Sequence, residues 1–396
     1  MKHTLPLLAA ALVLAACGND AADRPASAPA AVVDPAAWET ATVFHASGNP
    51  ARLEDWGQLR VEGDRLVLAE GVVPYGLNTA LFSDYALKLR TVWLPQGAEP
   101  AAWHDTDTFD FPVGTVITKT FYYPRAGGGF ERVALEMDPD AHFDGRALDL
   151  SAVRVIETRV LVRRDEGWAA IPYAWNEDQR STRLARTGAF VDLTLIDAGG
   201  RTQVLNYQIP DVNQCAQCHV TNAGDGQVRP IGPRARHLNG GYTYAHGEQN
   251  QLAYWREAGL LNGGPEAGGA PRSAVWHGEL ELSGMALEAA ARAYIDINCA
   301  HCHSRTGHAR TSGLYLEPSD PVGPAFGVCK PPIAAGRGTG NRLYSIVPGD
   351  SHASIFTFRM ETDRPDAMMP ELGRSLAHAE GVALVARWID AMAGGC

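Results

Sequence analysis

Past its first residues the 396-residue sequence has no apolar run long enough to cross a bilayer as a helix, which excludes a helix-spanning membrane protein. Cations are scarce: 34 Lys and Arg stand against 45 Asp and Glu, a formal net charge of −11. An acidic surface argues against nucleic acid and anionic lipid surfaces as partners, and it suits a basic redox partner. A phosphate cradle is also missing. Gly336-Arg337-Gly338-Thr339-Gly340 is Gly-rich, but no strand or P-loop lysine accompanies it, so it reads as a surface loop. Cysteine is sparse too, with seven residues, and their placement is the most informative thing in the chain.

Four of the seven fall in two copies of one pentapeptide, Cys215-Ala-Gln-Cys218-His219 and Cys299-Ala-His-Cys302-His303. C-x-x-C-H is the attachment signature of c-type haem. Cysteines at i and i+3 reach the two vinyl groups of one porphyrin, and the next histidine can bind its iron. Two covalently bound haem c groups are therefore expected, with Cys215, Cys218, Cys299 and Cys302 as thioethers and His219 and His303 as proximal ligands. C-x-x-C also builds zinc knuckles and thiol redox pairs. Zinc needs four ligands per site, which the two motifs together could supply.

Such haem is attached outside the cytoplasm, and the N-terminus reads as an export signal. Lys2 and His3 precede an apolar run, Leu5 to Ala16, of signal-peptide length. It ends in Leu14-Ala15-Ala16-Cys17, which resembles a bacterial lipobox, with Cys17 lipidated. Gly18, rather than aspartate, follows Cys17; by resemblance to bacterial sorting rules this points to the outer membrane. The reading is a lipoprotein signal peptide over 1–16, an Ala- and Pro-rich tether over 17–45, and a lipid-anchored periplasmic protein. Cys329 and Cys396 remain as an even pair, a disulfide candidate in an oxidising compartment.

Residues 46–210 read as a β-rich domain. Arg65–Leu68 and Ala86–Trp93 alternate polar and apolar positions, Thr115–Tyr123 is β-branched and aromatic, and Val153–Arg163 repeats the pattern. Gly199-Gly200 turns one strand into the next. An antiparallel sandwich or barrel is expected, with His104 and His142 on loops and the tryptophans of this region in packing roles. Residues 211–282 hold the first motif, directly after the last strand, then Gly- and Asn-rich loops and one helix near Gln249–Ala258. Over 283–396, Leu287, Ala290, Ala291, Tyr294 and Asn298 share one face of a helix running into Cys299. Met368-Met369-Pro370 follows, and then a helix from His378 to Met392 with Gly381, Leu384, Val385 and Trp388 on one face. The overall expectation is a multidomain α+β chain whose β-rich domain leads into a mostly α-helical haem-binding region.

Helix, C-x-x-C-H, Met-Pro loop and C-terminal helix in that order resemble a class I cytochrome c domain. That resemblance implies crossed terminal helices and Met369, the methionine before proline, as the iron ligand opposite His303; Met368 and Met360 are the neighbours to reject, and His301 is implied to face away from the haem as a surface residue. The whole chain is similar to exported dihaem c-type cytochromes of unassigned function. The matching segments are Pro74–Tyr85, Ile156-Glu157-Thr158-Arg159, the Cys215 motif, Asn250-Gln251-Leu252 and Pro348-Gly349-Asp350. For the first haem the sixth ligand stays open among His237, His246, His277, Met285 and an open or water-bound position.

Three functions follow as expectations. The first is an electron-transfer module exchanging with redox partner proteins, with no catalytic residues beyond the ligands. The second is a dihaem oxidoreductase of peroxidase or oxidase type, with the first haem as reaction centre. The third is a binding module, in which the β-rich region recognises a partner that the haems serve.

Overall fold

In the computed structural model of this chain, residues 43–138, 140–333 and 336–396 are described. The signal peptide, Cys17 and residues 17–42 of the tether lie outside them. Strands form where the composition favours a pleated, half-buried backbone. Val116–Pro124, Val153–Arg164 and Gly167–Trp175 are the longest. With Leu87–Trp93, Val73–Tyr75 and Thr182–Leu184 they build a six-stranded antiparallel sheet. Among the described residues no α-helix precedes Val212, so the N-terminal region is β-rich.

A second sheet, Arg132–Ala134, Ala189–Ile196 and Thr202–Ile209, lies against one end of the first. Its Leu193, Leu195, Leu205, Tyr207 and Ile209 pack on Phe121, Tyr123, Ile156 and Ala174. The expectation of purely antiparallel pairing needs correction, because Arg132–Ala134 pairs with Thr194–Ile196 in parallel. The chain reaches that edge through intervening strands rather than a hairpin, so no turn fixes the antiparallel sense. Trp56, Trp93 and Trp175 are buried, Trp103 and Trp168 pack at the rim of the core, and His104 and His142 are exposed.

The haem-binding region as a whole is not mostly α-helical, which corrects a second expectation; over residues 211–282 loops predominate. Short helices Val212–His219, Ala235–Leu238 and Gln251–Glu257 are separated by loops and the hairpin Gly241–Tyr244/Gly247–Asn250. The Gly- and Asn-rich sequence stops each helix within about two turns. Leu238, Tyr242, Leu252 and Trp255 pack against Val73, Tyr75, Val92, Ile117 and Leu161 of the large sheet.

In the last region, helix Gly284–Ile295 runs on as a π-turn, Asp296–Ala300, into the second motif. Helix Ala379–Asp390 packs against it through Leu384, Val385, Trp388 and Ile389. Gly381 makes this possible, because a Cβ there would overlap the Tyr294 ring. His378, at the start of that helix, is buried between Phe82, Tyr85, Trp276 and Tyr294. Among the described residues, no helix is long and apolar enough to cross a membrane.

Cys329 and Cys396 are joined by a disulfide across a sequence separation of 67. Closing a loop of that length restricts the unfolded chain. C329A/C396A should therefore lose about 4 kcal/mol in equilibrium denaturant unfolding; no loss would mean the bridge contributes nothing to stability. His378 makes a second prediction. Burial holds its pKa down, to about 3, below the ordinary value near 6.5. The unfolded chain then binds a proton that the folded one refuses, so its contribution is complete above about pH 6.5 and is lost as pH falls toward 3. H378Q should flatten the decline in unfolding free energy across that window, by an amount on the order of 5 kcal/mol. An unchanged slope would assign the decline to other groups.

Candidate haem sites

The first motif is made helical by its N-cap. Asp211 Oδ1 accepts from the Gln214 amide at 2.8 Å, and Gln214 Oε1 accepts from the Asp211 amide at 3.0 Å. This capping box starts a helix of only eight residues, Val212–His219. One turn then separates Cys215 from Cys218 and sets both thiols on one side, with His219 next along. They open onto a cleft with about 130 Å³ of space and a wide mouth to solvent. The large sheet forms one wall, with Ile117, Val160, Leu161 and Ala170. Leu77, Leu81 and Phe82 form another, and Pro230, Ile231 and Ile297 a third. These apolar walls beside a C-x-x-C-H suit the flank of a largely apolar macrocycle, while Arg90, Lys119 and Arg159 make the rest of the lining cationic.

The histidine tautomers fit iron ligation. His219 Nδ1 stands 2.7 Å from the Arg229 carbonyl oxygen. A carbonyl only accepts, so Nδ1 carries the proton and Nε2 keeps the lone pair. The second motif reaches the same state by another route. Ser312 Oγ donates its hydrogen to the Ala309 carbonyl at 2.6 Å and lies 3.3 Å from His303 Nδ1. The hydroxyl hydrogen is spent, so His303 donates from Nδ1 and Nε2 again is the basic nitrogen. Burial holds both imidazoles down, to about 4, and so neutral at pH 7.

The two motifs abut. The Ala223 amide donates to the Thr306 carbonyl at 2.8 Å, and Thr306 Oγ1 to the Thr221 carbonyl at 3.2 Å. The Cys302 thiol donates to the Gln217 carbonyl at 3.8 Å, one residue from Cys218, and the nearness of Cys218 holds the Cys302 thiol well above its ordinary pKa. His301 is not a surface residue, contrary to expectation. It is half-buried, lines the first cleft, stands against Cys218, and its Nδ1 is buried without a partner among the described residues. Its neighbour Cys302 turns it inward, toward the other motif.

One strap, the chain from Tyr75 to Tyr85, ties the sites together. Asn78 Nδ2 lies 3.1–3.2 Å from the carbonyls of Arg236, Asn239 and Ser273. Asn298, one residue before the second motif, accepts from the Phe82 amide at 2.8 Å and donates to the Ala80 and Tyr294 carbonyls. Asp84 Oδ1 accepts from the amides of Ser375 and Leu376 at 2.7 and 2.8 Å. Arg236 clamps Asp296 through two bonds at 2.7 and 2.9 Å, joining the first-motif segment to the second-motif helix.

The candidate sixth ligands are spread apart. Met369 is half-buried, its amide donating to the Arg359 carbonyl at 2.7 Å, and Arg359 in turn is close enough to depress His303. Met360 is buried in the core and Met368 is half-buried. His237 is buried with Nε2 3.6 Å from Asp296 Oδ2, and it is not among the residues lining the first cleft. Neither are His246, His277 or Met285, the last of which is 89% exposed. Among the described residues no group of three or more His, Cys, Asp or Glu side chains is gathered as a metal cage.

No family model, curated protein or solved structure matches this chain. The site therefore rests on its own geometry. Sequence reasoning missed two parts of it. The strap residues Asn78 and Asp84 carry no signal in the sequence beyond their place in Pro74–Tyr85. The charged residues Arg90, Lys119 and Arg159 sit at apolar-face positions of strands, a signal the alternation pattern carries.

Removing the Asn298 amide breaks three bonds at once. N298A should lose about 2 kcal/mol in denaturant unfolding, and an unchanged midpoint would mean the strap is held elsewhere.

Proposed function

We propose that the chain is an exported, lipid-anchored dihaem c-type cytochrome that transfers electrons to and from partner proteins in the periplasm. The observation that carries this is the matched state of His219 and His303. Each motif histidine spends Nδ1 on an internal acceptor and keeps Nε2 basic, the arrangement metal-binding histidines require. Haem iron at each motif would supply one-electron chemistry.

This chain's own residues then bind, orient and exclude water. Cys215, Cys218 and His219 would hold one haem, and Leu77, Leu81 and Phe82, which line the same cleft, would exclude water from it. Cys299, Cys302 and His303 would fix the second. Because the two motifs abut, they would hold the two haems as neighbours, with His301 beside the first cleft.

For residues 283–396 we infer a class I cytochrome c domain. The packed pair Gly284–Ile295 and Ala379–Asp390 around Gly381 and Tyr294 supports it, as does a Met369-Pro370 loop held on Arg359. Met369 would be the sixth ligand of the second iron, raising its potential. Lipid on Cys17 would tether the protein at the outer membrane.

A second reading has its own support. The first cleft is open at its mouth, and its lining contains none of the candidates His237, His246, His277 or Met285. That favours an oxidoreductase of peroxidase or oxidase type with the first haem as reaction centre.

The exported protein should carry two haems by mass and a lipid on Cys17, and C215A/C218A should leave one haem. M369A should abolish the methionine-to-iron charge-transfer band; an unchanged band would overturn that ligand. Ferric spectra with added carbon monoxide or peroxide decide between the readings. Two inert, six-coordinate low-spin haems would exclude the enzyme, and a reactive first haem would exclude a pure carrier.

A further inference from the structure

The register of the large sheet places three cross-strand rows on the face that meets the first cleft. The upper row, Val73–Val92–Ile117–Leu161–Ala170, is apolar. The middle row is Tyr75–Arg90–Lys119–Arg159–Pro172. Three adjacent strands thus present three cations side by side, where like charges directly opposite one another repel. All three line the cleft with Cys215, Cys218 and His219, and no Asp or Glu lines it. In a chain of net charge −11 this concentration is the reverse of the whole.

Compensation within the protein is partial. In the lower row Glu157 is fully buried and takes Arg159 through two hydrogen bonds, Nε to Oε2 at 2.9 Å and Nη2 to Oε1 at 2.5 Å; it also accepts from the Tyr207 hydroxyl. The Lys119 ammonium stands over the Phe121 ring, 4.8 Å from its centre. Arg90 is 7% exposed, and its buried Nη2 has no hydrogen-bond partner among the described residues. A buried guanidinium donor aimed at no acceptor is costly unless something else supplies one.

We propose that Arg90, Lys119 and Arg159 form an anion-binding row in the first cleft, taking a carboxylate or small oxyanion. Arg90 offers a free donor, Arg159 is held in place by Glu157, and Lys119, whose pKa burial and its arginine neighbours hold well below the ordinary value, gains its charge as an anion binds. Two sources share this chemistry. One is the carboxylate side chains of the haem attached at Cys215 and Cys218, which rests on the haem reading. The other is a diffusible oxyanion entering by the cleft mouth, which does not.

The test uses the exported full-length protein and its R90Q and K119Q variants, with R90K as the charge-keeping control. Haem content is counted first, the potential of each haem is measured by spectroelectrochemistry, and inorganic phosphate binding is followed by calorimetry. If haem carboxylates occupy the row, R90Q and K119Q lower the potential of the first haem without added phosphate, R90K keeps the wild-type value, and phosphate does not bind. If a free oxyanion occupies it, phosphate binds the wild type and binds each glutamine variant at least tenfold more weakly. Unshifted potentials together with no phosphate binding overturn the proposal. Should haem be missing at the first motif, the haem reading fails by itself. The phosphate arm then decides alone: tenfold weakening in the variants supports the row, and no binding to the wild type rejects it.

Discussion

Asn298 is a single side chain placed where three parts of the chain meet. Its carboxamide satisfies the Phe82 amide and the carbonyls of Ala80 and Tyr294, through one buried and two part-buried hydrogen bonds. Backbone polar groups in such a place must be paired, and a strap with no sheet or helix of its own cannot pair them internally. Asn78 and Asp84 solve the same problem on either side. The strap can cross the interior between the large sheet and the second motif only because these three short polar side chains stand in for secondary structure. The shape of the first cleft follows, since Leu77, Leu81 and Phe82 reach it from the strap.

The other wall of that cleft depends on register. Side chains alternate across a strand, so Ile117, Lys119 and Phe121 share one face while Thr118 and Thr120 share the other. The back face is closed by apolar packing and by hydroxyl pairs, Thr91 with Thr118 at 2.5 Å and Thr120 with Thr158 at 2.8 Å. A slip of one residue would bury the cations behind the sheet and send threonines into the cleft. The two faces therefore fix each other, and the position of the charges is as tightly set as the core itself.

Much of this was legible in the sequence, and the part that was not has a physical reason. Strands over the first region, the helix leading into Cys299 and the final helix all announce themselves by period, because each buries one face. Helix Gln251–Glu257 was legible too, with Asn250 as its cap. What lies between fails this test: residues 211–282 bury side chains from loops and short turns, where no period exists to read. The motifs point to candidate ligands but not to their mutual placement. The abutment of the two motifs, and the inward turn of His301, arise from long-range packing through the strap and the Arg236–Asp296 pair, which no local pattern encodes. Resemblance misled at His301 for this reason: a lone domain would leave that side to solvent, whereas here a neighbouring motif occupies it.

The burial of the motif cysteines bears on the order in which the molecule is made. Cys215 is buried and Cys218, Cys299 and Cys302 are half-buried, beneath a strap that belongs to a much earlier stretch of chain. An attachment machinery needs both thiols and the ring edge in the open. On the haem reading, the cofactors have to be joined while the strap is still away from the motifs. Closure of Asn78, Asp84 and Asn298 onto their partners would then be the late step of maturation, sealing two rings that entered a chain not yet folded around them.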